Sequence, residues 1–153
     1  MNETAFSAYL QLLQQLTHVL EELMAIEEEK TRAVCQDDLA GLAECMKQEQ
    51  AQTLALRGLD RKREAALSEM GAASAPLSAI GIWAPAHLRL EGKRVAEDLR
   101  RQYELFRGAA DVARDTLEIN LHQVEKMLEK LNAEAADGFE PELPSRMRTD
   151  FKA

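Results

Sequence analysis

Residues 6–26 read FSAYLQLLQQLTHVLEELMAI, and the spacing of their apolar side chains decides the fold class. Leu13, Leu16, Leu20 and Leu23 step by three and four, with Leu12, Val19 and Ile26 along one flank and Phe6 and Leu10 extending the stripe backward. That is a heptad seam and not the two-residue alternation of a strand. The seam degrades at Glu27 and Lys30, recovers at Val34, and is followed by Cys35-Gln36-Asp37-Asp38. An aspartate there can accept hydrogen bonds from the first free amides of a new helix. A tight turn is therefore predicted near Gln36, with a second seam through Leu39, Leu42, Met46, Thr53, Leu56, Leu59, Leu67 and Met70 and a stop at Gly71.

A short connection makes the two helices antiparallel neighbours. A turn at Gln36 sets Leu20 opposite Leu54, Glu27 opposite Lys47 and Lys30 opposite Glu44, so the charged defects in the seam would meet opposite charges and fix its register. Proline marks the remaining boundaries. The four prolines stand at Pro76, Pro85, Pro141 and Pro144, and a proline inside a helix costs about 3 kcal/mol, so residues 1–75 and 86–140 are free to form long helices. Residues 71–85, GAASAPLSAIGIWAP, form a connector without a charged residue. Its Trp83 either closes the end of the helical bundle or anchors a partner.

The third helix is predicted over about residues 86–135, roughly 75 Å long against roughly 50 Å for each of the first two. Its seam is Val95, Leu99, Gln102, Phe106, Ala109, Ala113, and then Leu117, Leu121, Val124, Leu128 and Leu131. Two consecutive steps of four, from 109 to 113 to 117, are a stutter that locally unwinds a supercoil. The length mismatch leaves the last five apolar residues either as ordinary core or as a groove for a partner. Residues 137–153, DGFEPELPSRMRTDFKA, read as a flexible tail with Phe139, Met147 and Phe151 as apolar anchors. The predicted architecture is all-α: three long helices at about 4–35, 38–70 and 86–135 in an antiparallel, coiled-coil-like bundle over residues 1–136, with the tail beyond it.

Composition agrees with long helices and narrows the function. Aromatic residues are 5% of the 153, too few for most sheet-rich folds. The net charge of −8 lacks the basic footprint that nucleic acid or an anionic membrane surface requires. No apolar run reaches the length of a membrane span, and Met1-Asn2-Glu3-Thr4 does not open a secretory signal. Cys35 and Cys45 are the two cysteines and form no CxxC, which fits free thiols and a cytoplasmic location. His18, His87 and His122 have no metal-ligand spacing, and Glu27-Glu28-Glu29 points in three directions around a helix, so neither metal, cofactor nor catalytic chemistry is expected.

The stretch Leu16 to Leu67 resembles the FlgN type of flagellar export chaperone. The likeness lies in a leucine-rich first helix ending in acidic residues, the acidic turn Asp37-Asp38-Leu39, then Leu42 and Lys47, and a final helix carrying Leu117, Asn120, Leu121, Val124, Leu128 and Leu131. The resemblance implies a cytoplasmic bacterial chaperone for type III secretion. Its clients would be flagellar hook–filament junction proteins, kept from assembling early and passed to components of the export apparatus. Leu117, Leu121, Val124, Leu128, Leu131, Phe139, Met147 and Phe151 are the partner-binding candidates. A generic coiled-coil scaffold or oligomerisation module, self-associating through the same stripe, is the alternative.

Overall fold

The computed structural model of the chain describes residues 3–136, which are all-α. Among the described residues there are four helices where three were predicted for the chain: α1 Glu3–Cys35, α2 Leu39–Glu69, α3 Ile80–Trp83 and α4 Arg89–Ala135. The extra helix is a single turn inside the connector. Pro76 and Pro85 each precede a short 3₁₀ turn, Leu77–Ala79 and Ala86–Leu88, and α3 lies between those turns. Proline presets the backbone for entry into such turns while blocking one continuous helix. Packing gives the segment its order, since Ile80 and Ala84 are buried. The predicted tail, with Phe139, Met147 and Phe151, lies outside the described residues.

The chain divides after Ala113 into two units. In the first, α1 and α2 form a hairpin closed by two helix-ending motifs of the same kind. After α1, Asp37 takes a left-handed conformation at φ 55°, and the amides of Asp38 and Asp37 donate to the carbonyls of Ala33 and Val34. After α2, Gly71 does the same at φ 76°, with the amides of Ala72 and Gly71 donating to Leu67 and Ser68. Both arrangements satisfy carbonyls that a helix end leaves free. Asp38 then caps α2, its Oδ1 accepting from the Gly41 amide at 2.9 Å.

The core follows the seam of α1. Phe6, Tyr9, Leu10, Leu13 and Leu16 cluster with Leu67 of α2, Ile80, Ala84, and Val95 and Ala96 of α4. Val19, Leu20 and Leu23 form a second cluster with Leu56, Leu59, Leu99 and Phe106 against it. Trp83 turns inward, with its ring 5.5 Å from that of Phe6 and nearly perpendicular to it, and 5.6 Å from that of Tyr9. Such edge-to-face pairs add about 0.5–1.5 kcal/mol beyond the area they bury. Gly92 lets α4 approach this cluster, because a Cβ there would lie 3.0 Å from Phe6 Cζ. Further along, Gln102 donates to the Met24 sulfur at 3.5 Å.

The predicted register of the hairpin is corrected. Lys30 reaches Glu49 and not Glu44. Glu44 and Lys47 are exposed, and Leu54 is exposed as well while Leu20 packs near Leu56 and Leu59. The face that α2 turns inward runs through Leu42, Cys45, Glu49, Gln52, Leu56, Leu59, Arg63, Ala66 and Met70, a strict heptad with polar members. Following apolar residues alone draws the seam through Leu39 and Met46, both of which are exposed. Two charged members of the true seam, Arg63 and Glu49, are held there by ion pairs. Arg63 donates to Asp60 at 2.8 Å, and Glu49 accepts from Lys30 at 2.7 Å.

Candidate functional site

The second unit is carried, among the described residues, by the end of α4. No glycine or proline falls between Ala109 and Ala135, so nothing in the sequence interrupts the helix there. Leu117, Leu121, Val124, Leu128 and Leu131 step by four and three, which places all five on one face. The structure thus brings together the five helical residues singled out from the sequence. Leu117, Leu121, Val124 and Leu128 are half-buried, and Leu131 is 50% exposed.

Burial separates this stripe from the seam of α1. The two have the same spacing, yet Leu13 and Leu23 in α1 are 0% and 1% exposed, whereas no residue between Arg114 and Ala136 is buried. Ile119 and Met127 add exposed apolar surface beside the stripe. Complete burial of a leucine-sized side chain is worth about 1.5–3 kcal/mol, so a stripe of five half-covered residues retains a large capacity for packing. The chemistry it offers is non-directional contact with another apolar helix face.

The first unit holds two other features with some chemical capacity. A cleft of about 620 Å³ has a floor of Leu16, Leu20, Leu56 and Leu99 and a rim bearing Arg57, Arg63 and Arg100. Two of its cations are already engaged, since Arg63 binds Asp60 while Arg100 binds Glu97 and Glu104. The hairpin also holds a partly buried charge cluster, in place of the predicted pairs Glu27–Lys47 and Lys30–Glu44. Lys30 Nζ lies 3.2 Å from Glu27 Oε2 and 2.7 Å from Glu49 Oε2. Burial, reinforced by its hydrogen bond with Glu49, pushes the Glu27 carboxyl up to about 7. The same hydrogen bond from Glu27, with help from Lys30, holds Glu49 below the usual glutamate range. Burial pulls Lys30 down, but both carboxylates outweigh it and raise it overall. The cluster faces between two helices and offers no cleft for a substrate.

Among the described residues no group of three or more His, Cys, Asp or Glu side chains could hold a metal ion. Cys45 is buried and its thiol is pushed up by that burial, which makes it a poor nucleophile, and Cys35 is exposed. No described helix is long and apolar enough to cross a membrane.

The family model for "FlgN protein" matches residues 1–139, covering both seams and the whole stripe. The chain belongs to the FlgN family. It is therefore a flagellar export chaperone in general character. Among curated proteins and among solved structures nothing matches the chain. Glu125 and Glu134 lie beside the stripe and were not among the residues the leucine spacing singled out. Their signal was present in the same heptad spacing.

Proposed function

We propose that this FlgN-family chain is a cytoplasmic, non-catalytic chaperone that binds amphipathic terminal segments of flagellar hook–filament junction proteins. It shields those segments from premature assembly and hands them to the flagellar type III secretion apparatus. Residues 3–113 act as the platform, an antiparallel bundle of α1, α2 and the start of α4. The stripe Leu117–Leu121–Val124–Leu128–Leu131 is the docking face. The observation that carries this reading is a regular apolar heptad stripe in which no residue is buried, within a chain that the family match covers almost throughout.

The physics of capture is that of a helix laid on a helix. A client segment whose apolar face has no partner outside the assembled filament gains by covering the stripe. The gain per anchor is offset by the cost of ordering both surfaces, so the complex stays releasable at the export apparatus. No nucleotide or metal enters this cycle.

The test is capture of a junction protein by the full chain and by its Leu121→Asp/Leu128→Asp variant. Capture by the first and loss of at least about a hundredfold in affinity by the second are expected, with circular dichroism unchanged. Equal capture by both chains would remove the stripe from the mechanism. A heptad stripe also suits a scaffold that pairs with its own copy. A stable dimer lost in the same variant, with no junction-protein binding, would favour that second reading.

A further inference from the structure

The charges beside the stripe specify what kind of helix fits it. Take Leu117, Val124 and Leu131 as one seam position and Leu121, Leu128 and Ala135 as the other. The positions immediately flanking the seam are then Glu118, Glu125 and Asn132 on one side and Asn120, Met127 and Glu134 on the other. All charged residues at these six positions are glutamates. Glu118 and Glu134 are exposed and Glu125 is half-buried, and none of the three pairs with another described residue. Lys126 and Lys130 sit toward the opposite side of the helix, at one hundred degrees of turn per residue. Arg114 precedes the first leucine and lies 3.4 Å from Asp115.

We propose that the stripe takes a partner helix whose own apolar seam is flanked by lysine or arginine, and that its acidic flanks exclude a second copy of this chain. This rests on the reading of the stripe as a docking face and adds the chemistry of the occupant. In a two-helix seam the flanking positions face each other across the interface and set partner choice. Two copies of this stretch, parallel or antiparallel, bring glutamate only against glutamate or a neutral residue. A basic-flanked partner meets three carboxylates instead. The remaining charge agrees, since residues 114–136 carry five acidic and three basic side chains.

The experiment uses the full chain and two synthetic helices of three heptads with one leucine seam, one flanked by lysines and the other by glutamates. Binding is read by fluorescence anisotropy at low and high salt. The lysine-flanked helix is expected to bind about tenfold tighter at low salt, with the difference shrinking at high salt. Glu118→Lys/Glu125→Lys/Glu134→Lys should invert the preference, with helicity unchanged as the check on folding. Equal affinity for the two helices, or a preference that survives charge reversal, overturns the flank assignment and leaves the stripe itself standing. Failure of both helices to bind overturns the stripe and the flanks together. A dimer of the unmodified chain that the Leu121→Asp/Leu128→Asp variant dissolves would make the second copy the occupant. Peptide binding that appears only after Arg146→Glu/Arg148→Glu would make the chain's own last residues the occupant. Either of those two results overturns the assignment.

Discussion

Lys30 Nζ lies 2.7 Å from Glu49 Oε2, and this bridge ties α1 to α2 from within the hairpin. The Lys30 side chain is 12% exposed, so the pair is shielded from the water that would weaken a surface bridge. Glu27, 6% exposed and 3.2 Å from the same nitrogen, makes it a cluster of two carboxyls around one ammonium. Its energetics depend on which carboxyl keeps a proton.

The stability of the chain should fall as pH rises from about 5 to 7. Folded Glu27 holds its proton up to about 7, whereas an ordinary glutamate releases it near 4.5. The folded state binds more protons across that window, so raising pH favours unfolding by about 1–3 kcal/mol in total. Glu49 works the other way, and its contribution fades only as pH drops below the ordinary glutamate range. Urea unfolding at pH 5, 6, 7 and 8 measures the slope. Glu27→Gln should flatten it, and a slope that Glu27→Gln leaves unchanged would contradict the assignment.

Lys30→Met removes the shared cation and leaves two carboxyls facing each other. The cost should be about 3–5 kcal/mol at pH 8, where an uncompensated buried charge remains, and smaller at pH 5, where Glu27 is protonated. A pH-independent cost would mean that Lys30 acts through packing alone.

Exposed and buried leucines on adjoining helices should respond differently to equal changes. Leu13→Ala in the core should cost about 2–5 kcal/mol. Leu54→Ala, on the exposed side of α2, should stay within about 0.5 kcal/mol. Thermal unfolding of the two variants separates the observed register from the one that set Leu54 against Leu20.

Gly92→Val should destabilise by about 1–3 kcal/mol, because the added side chain meets Phe6 Cζ beneath α4. Gly58→Val, on α2 with open space around it, is the control. Chemical unfolding of the pair checks this, and a control that loses as much would point to helix propensity and not to the contact.

The helices were legible because their signals are local. Leucine spacing marks α1 and the end of α4, Asp38 caps the helix that begins at Leu39, and Gly71 adopts the left-handed conformation that ends α2. The register of the hairpin was not legible, because Cys45, Glu49 and Arg63 look like surface residues until their surroundings, Lys30 and Tyr9 among them, are placed beside them. The connector hid α3 for a related reason. Ile80, Trp83 and Ala84 fold into a turn by packing on Phe6 and Tyr9, far earlier in the chain. At the stripe, spacing revealed the apolar face, whereas its lack of burial could be read only from structure.

Hydrogen exchange of the full chain, alone and saturated with a junction protein, tests most directly whether the stripe is where a client docks. Bound client should slow exchange across residues 117–131 and leave the α1–α2 hairpin near its free-state rates. Protection confined to residues 3–113, with the end of α4 unchanged, would place the client elsewhere.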